Sequence, residues 1–195
     1  MPHRRMTKMF LDIKDHEPSK ESVFFVDTNV WYWTTYAASK KFFGNTAPRD
    51  YQMEFYPAFI ERVLANDATL HYTCLTLVEL TSLIERSEFE IFKAFNGDKK
   101  SSLKQFRKDS AQRNAVLAEI QSAWEQIQSM ASELPTLLPK GVSAELVGIV
   151  NAHTVDGYDA LYIKLMRDHK IENIITDDKD FKGVPDLNLY SCYPA

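Results

Sequence analysis

A chain of 195 residues fits one ordinary domain, enlarged at most by an insertion, and is long enough to bury a sizeable core. Hydrophobic residues at 45% and charged residues at 26% are ordinary for a soluble globular protein, and no stretch approaches the ~20 apolar residues of a membrane span. The net charge of -4 lacks the basic excess that marks many nucleic-acid binders, although clustered acids can lower the total and leave local basic patches intact.

Residues 1–20 are polar and mixed in charge, with Pro18 near the end, and read as a loosely attached N-terminal arm. His3, Arg4, Arg5 and Lys8 precede only Met9-Phe10-Leu11, too short an apolar run for a signal peptide. Val23 to Val26 is an apolar run bounded by polar residues and predicts a short buried strand. Asp27-Thr28-Asn29 then suits the cap of a helix from Val30 that carries Trp31, Tyr32, Trp33 and Tyr36. These rings suit core packing, a subunit interface or stacking on bases.

Gly44 to Pro48 reads as a loop, and residues 51–65 as a helix with Phe55, Phe59, Val63 and Leu64 on its apolar side. Leu70 to Cys74 is a second candidate strand. Thr76 is placed to cap a helix from Leu77 to about Arg86, with Glu79 in its first turn. From Leu103 a seam runs through Phe106, Leu117, Ile120, Trp124, Ile127, Ala131 and Leu134, predicting a long helix that would span about 45–50 Å if unbroken. Lys99, Lys100, Lys104, Arg107, Lys108 and Arg113 crowd its start, as a solvated face or a phosphate-contact surface.

Leu137-Leu138 is a candidate strand inside the Pro135–Gly141 interruption. Helices follow from Ala144 to Val150 and from Val155 to about His169, then strands at Asn173–Thr176 and Leu187–Tyr190. Alternating short strands and helices predict a mostly parallel α/β sheet with right-handed crossovers. Cys74 and Cys192 lie far apart in apolar surroundings, as expected of reduced thiols in a cytoplasmic protein. The five histidines show no zinc-ligand spacing with one another or with the cysteines.

Acids stand at four marked places: Asp27 after the first strand, Glu79, Asp159 in Tyr158-Asp159-Ala160-Leu161, and Asp177, Asp178 and Asp180 after the late strand. An unpaired buried carboxylate is costly, so acids converging on one pocket need a counter-charge. A hard cation with oxygen ligands is the natural one. Taken singly, each acid has an ordinary structural reading: Asp27 as a helix cap, Glu79 as a helix-terminus charge, Asp159 as a surface residue, and Asp177 to Asp180 as a solvated turn.

The order and surroundings of all four places resemble the PIN domain family of metal-dependent ribonucleases, of which the VapC-type toxins are the most numerous branch. The resemblance rests on Val26-Asp27-Thr28-Asn29, Val78-Glu79-Leu80, Tyr158-Asp159-Ala160-Leu161-Tyr162 and Thr176-Asp177-Asp178-Lys179-Asp180-Phe181, with Val184 to Leu189 similar to the closing segment. It covers about 23–85 and 140–191. It implies an α/β fold, a three-layer α/β/α sandwich around a central, mostly parallel sheet of four or five short strands. The arm at 1–20 and a helical insertion around 87–135 would extend a single domain over 21–195.

The resemblance further implies Asp27, Glu79, Asp159 and Asp178 as the principal acids for Mg²⁺ or Mn²⁺. Asp177 and Asp180 would be close alternatives or outer groups, and Thr176 or Asn29 would orient a carboxylate or water. Asp156, on the face of Asp159, would add charge. The activity implied is endoribonuclease cleavage leaving 5′-phosphate and 3′-hydroxyl ends. A small antitoxin protein and a homodimer are the implied partners, with RNA as substrate. The rival reading is an RNA- or protein-binding module that acts through the 99–134 helical region, because fold alone does not fix function. A phosphatase with Asp27 as nucleophile is weaker, since Asn29 stands where an Asp-x-Asp motif needs its second acid.

Overall fold

The computed structural model describes residues 10–42, 47–97 and 100–193. Residues 44–46 of the expected Gly44–Pro48 loop, Lys99 of the basic run, and His3, Arg4, Arg5 and Lys8 of the arm lie outside these residues. Among them six strands form one sheet: β1 (Phe10–Asp12), β2 (Val23–Val26), β3 (Thr69–Tyr72), β4 (Ser132–Glu133), β5 (Asn173–Ile175) and β6 (Asn188–Ser191). The order is β1-β6-β5-β2-β3-β4, and every pairing is parallel. The sheet therefore has one strand more than expected at most and no antiparallel pair.

A parallel sheet is covered on both faces, and its strands read as continuous apolar runs for that reason. In β2, Phe24 and Val26 enter one core while Phe25 enters the other. Ile175 and Ile174 of β5 divide in the same way, as do Tyr190 and Leu189 of β6. The first core holds Trp31, Tyr36, Tyr56, Phe59, Ile60, Leu80 and Ile84; the second holds Ala160, Tyr162, Ile163, Met166 and Phe181. The result is the expected three-layer α/β/α sandwich. Trp31, Tyr32, Trp33 and Tyr36 are all buried, so core packing accounts for this aromatic group.

The N-terminal segment departs from the loose-arm expectation. β1 pairs with β6 in register Phe10↔Leu189 to Asp12↔Ser191, the amide of Ile13 donates to the Ser191 carbonyl at 3.1 Å, and Ile13 is fully buried. Main-chain pairing holds this three-residue edge strand, which side-chain periodicity does not reveal.

Helix α1 (Thr28–Trp31) starts two residues earlier than expected and continues as a π-helical turn over Tyr32–Tyr36. Helix α2 is Asp50–Ala65. Helix α3 (Cys74–Asn96) is much longer than the expected 77–86. Thr73 is its cap residue, and Thr76 instead accepts from the Thr73 amide at 3.2 Å. Glu79 thus falls in the second turn. The helix stops at Gly97, whose φ of 62° suits a residue without Cβ.

The single long rod does not form. Asp109 has extended backbone and ends α4 (Leu103–Lys108), while its side chain accepts from the Gln112 amide at 3.0 Å and starts α5 (Ser110–Met130). At 1.5 Å per residue α5 is about 30 Å long. Its buried seam is Val116, Ile120, Ala123 and Ile127, whereas Leu117 is 43% exposed. The chain then enters β4, so the strand lies at 132–133, and Leu137 and Leu138 are exposed. Arg107 and Arg113 both pair with Glu85 of α3, a buried carboxylate that the Arg107 contact holds below its usual range. Two of the six residues of the expected phosphate-contact run are thus accounted for differently: Arg107 and Arg113 dock α4 and α5.

Helices α6 (Val142–Ala152) and α7 (Gly157–Asp168) cover the second face. Cys74 is exposed, Cys192 is buried, and neither is in a disulfide. No helix among the described residues is long and apolar enough to cross a membrane.

Candidate metal centre

The order in which strands are added to the sheet reverses between β2 and β5. β2 leads outward to β3 on one side, β5 leads to β6 on the other, and the crevice at their carboxyl ends is where ligands gather in open α/β sheets. Asp27 follows β2 and Asp177-Asp178 follow β5, so parallel pairing alone brings these acids to one edge.

Asp27 is 7% exposed. Its carbonyl receives the amides of Val30 and Trp31 at 3.1 and 3.2 Å, which caps α1 through the main chain and leaves the carboxylate free of capping. Thr176 Oγ1 donates to Asp27 Oδ2 at 2.7 Å and accepts the Asp178 amide at 2.9 Å. This hydroxyl links the two strand ends. Burial, then the charges of Glu79 and Asp178, push the Asp27 carboxyl up to about 6 against the Thr176 bond.

Glu79 projects from α3 toward the same edge. Its Oε2 accepts from Thr28 Oγ1 at 2.6 Å and from the Tyr162 hydroxyl, and these two hydroxyls lie 2.9 Å apart. Tyr162 is buried and was not among the expected site residues; its signal was the second tyrosine of Tyr158-Asp159-Ala160-Leu161-Tyr162. Tyr162→Phe is expected to cost about 1–3 kcal/mol of stability in urea denaturation, because it removes a donor from a carboxylate and leaves Thr28 to hold it alone.

Asp159 stands in the first turn of α7, where Asp156 caps the helix by accepting the amides of Tyr158 and Asp159 at 2.8 and 3.0 Å. Asp156 thus serves mainly as a cap, and its charge follows burial as a cause that pushes the Asp159 carboxyl up to about 7. Asp178 is also raised, first by burial; its Oδ1 accepts the Asp180 amide at 2.8 Å. One carboxylate oxygen each from Asp159, Asp178 and Asp180 lie within 4.8 Å of one another.

Asp177 is engaged with α2. Tyr51 Oη and Gln52 Nε2 donate to its Oδ2 at 2.7 Å each, and Tyr56 Oη donates to Oδ1 at 2.8 Å. Three donors on two oxygens make it a strut between β5 and α2, a role invisible in sequence because the partners lie over 120 residues away. Asn29 is exposed and touches the Asp27 carboxylate through its backbone amide, whereas Thr176 holds the same carboxylate with its side chain.

Among the described residues, Asp27, Glu79, Asp159, Asp178 and Asp180 form no ion pair, although ion pairs are made elsewhere in the fold. Asp27, Asp159 and Asp178, raised first by burial and then by neighbouring acids, lack a basic partner among the described residues and fit a hard divalent cation, whose ligands are oxygens. The donor set contains no sulfur and no imidazole.

The PIN domain family model matches residues 51–187, a span that contains Glu79, Asp159, Asp177, Asp178 and Asp180 and begins after Asp27. No curated protein matches the chain. Among solved structures, a chain in the crystal structure of VapBC2 from Rickettsia felis bound to a DNA fragment from their promoter is 16% identical, with a TM-score of 0.50. The similarity covers 87% of this chain and 98% of that one, and at such identity it concerns the fold. With more than half of its length matched by the family model and the fold found again in that structure, the chain belongs to the PIN domain family.

Proposed function

We propose that the chain is a divalent-metal-dependent endoribonuclease of the VapC toxin kind, acting in the cytoplasm and restrained by a small antitoxin protein. The observation that carries this reading is the convergence of Asp159, Asp178 and Asp180 within 4.8 Å, beside a buried Asp27, with no basic partner among the described residues. Family membership supports the nuclease class, since PIN domains are generally nucleases. The fold likeness to VapBC2 supports the antitoxin.

Asp27, Asp159, Asp178 and Asp180 would hold Mg²⁺ or Mn²⁺, with Glu79 as the further acid of the pocket and Asp177 bracing the β5 end. A bound divalent ion supplies Lewis-acid polarisation of a phosphodiester and lowers the pKa of a water nucleophile. The protein's part is preorganisation. Thr176 fixes Asp27 relative to Asp178, Thr28 and Tyr162 fix Glu79, and the capped first turn of α7 fixes Asp159. Ligands held this way need no rearrangement when charge develops on the phosphoryl oxygens.

The binding-module alternative through 99–134 draws less support, because Arg107 and Arg113 are paired with Glu85 and Phe106 is buried. Purified protein incubated with a mixed cellular RNA pool is expected to cut in Mn²⁺ or Mg²⁺ and to stop when chelator is added. Cutting that persists in chelator, or none in either metal by folded protein, overturns the assignment.

A further inference from the structure

The turn that carries Asp178 lies beyond the last rung of the sheet. The amide of Thr176 donates to the Tyr190 carbonyl at 3.1 Å, and the chain then runs through Asp177 and Asp178 to a short 3-10 turn over Asp180–Gly183. Irregular backbone is as a rule the most mobile part of a fold, whereas a metal ligand has to stay within about 0.5 Å of its place. The bonds inside the turn, from the Asp178 amide to Thr176 Oγ1 and from the Asp180 amide to Asp178 Oδ1, fix its shape. Its place in the fold needs anchors outside it.

Two tyrosine hydroxyls supply them. Tyr56 of α2, fully buried, donates to Asp177 Oδ1 at 2.8 Å and stands 3.2 Å from the Thr176 carbonyl. Tyr193, two residues past β6, donates to the Asp178 carbonyl at 2.8 Å. The carbonyls on either side of Asp177 are thus each met by a hydroxyl from a different segment of the chain. A phenol has one proton, and Tyr56 directs it between the Asp177 carboxylate and the Thr176 carbonyl. The buried Ser191 hydroxyl, 2.8 Å away on β6, therefore donates to the Tyr56 oxygen and ties α2 to the sheet. Gln52, one helical turn before Tyr56 on the same face of α2, adds its own bond to Asp177. These contacts hold the main chain around Asp178 and leave its carboxylate to the cluster with Asp159 and Asp180.

Resting on the metal-dependent reading above, we propose that Tyr56 and Tyr193 are positioning residues for the metal centre. From two sides they fix the 176–178 main chain, through Asp177 and the backbone carbonyls, and so keep the Asp178 carboxylate in register with Asp159 and Asp180.

The test is Mn²⁺ binding to the full chain without RNA, followed by electron paramagnetic resonance, so that affinity is read without turnover. Groups that orient a metal ligand from outside the coordination sphere are worth roughly 10- to 100-fold in metal affinity. Tyr56→Phe and Tyr193→Phe, which keep the ring and the charge, are each expected to weaken Mn²⁺ binding within that range. Tyr36→Phe is the control, because it removes a hydroxyl that donates to a carboxylate away from the cluster, Glu88 at 2.8 Å, and should leave Mn²⁺ affinity unchanged. Urea denaturation in chelator separates the two kinds of effect: a hydroxyl that only stabilises the fold lowers the midpoint and leaves the affinity of the folded chain as it was. The proposal is overturned if either folded tyrosine variant keeps the wild-type affinity, or if Tyr36→Phe weakens binding as much. Should Tyr56→Phe fail to fold, Tyr193→Phe, at a partly exposed position, decides alone. A wild type that binds no Mn²⁺ overturns the metal centre and the proposal with it, a result distinct from wild-type binding that the variants retain.

Discussion

Asp27→Asn is expected to stabilise the metal-free protein at pH 7 by up to about 3 kcal/mol while abolishing metal-dependent RNA cleavage. The stability half follows from proton linkage. The folded carboxyl is raised to about 6, well above the usual carboxylate range, so the folded chain binds the proton more tightly than the unfolded one. Ionised Asp27 therefore costs stability, fully above the folded pKa and not at all below the unfolded one. At 1.36 kcal/mol per pKa unit, the gap between wild type and variant is largest at neutral pH and closes as pH falls toward 4. Asparagine is close in shape and can still accept the Thr176 hydroxyl. The activity half follows from the loss of a charged oxygen facing the other acids, worth roughly 10³-fold or more where a metal supplies several kcal/mol. Urea denaturation in chelator at pH 7 and pH 4.5, beside an RNA cleavage assay, measures both. A variant less stable than wild type at pH 7 that still cuts RNA contradicts the assignment of Asp27.

Ile127→Ala is expected to cost about 2–5 kcal/mol, the range for emptying a fully buried aliphatic site. Leu117→Ala, ten residues earlier on the same helix, should stay within about 0.5 kcal/mol because its side chain is substantially exposed. The contrast tests whether α5 is built into the core. Val116, Ile120, Ala123 and Ile127 share one apolar cluster with Trp31, Tyr36 and Leu80, while Trp124 packs edge-on against Tyr72 of β3 with ring centroids 4.9 Å apart. Equal, small losses from the two substitutions would instead describe an appendage that leaves the core unaffected. Chemical denaturation followed by tryptophan fluorescence reads both variants directly.

The sequence made the central strands legible because burial on both faces leaves apolar residues side by side, as at Val23–Val26 and at Ile174-Ile175. It left β1 illegible because a three-residue edge strand is held by main-chain hydrogen bonds. The start of α3 was displaced because Thr73 and Thr76 both carry the side chain expected of a cap, and only geometry shows which one precedes the helix. In the seam of α5, Val116 and Leu117 are both apolar neighbours, and a rotation of one residue decides which is buried. At the site, Asp27, Asp159, Asp178 and Asp180 were legible from their positions after strands and in a first turn together with the family resemblance, whereas Glu79 lies one turn further into α3 than expected. The hydroxyls of Thr28 and Tyr162 and the strut from Asp177 to Tyr51, Gln52 and Tyr56 depend on contacts between distant segments, which local pattern does not encode.

The hydrogen bond from Thr176 to Asp27 closes a loop of 149 residues, and β2 lies between β3 and β5 in the sheet. During synthesis, β2, α2 and β3 can assemble early, but β2 has no β5 beside it until nearly the whole domain has left the ribosome. Such non-local parallel pairing is slow to form as well as late. A nascent chain that already displays Asp27 and Glu79 therefore carries half a charge cluster without the acids of α7 and the β5 end. The complete acidic pocket is therefore withheld until β5 has paired with β2.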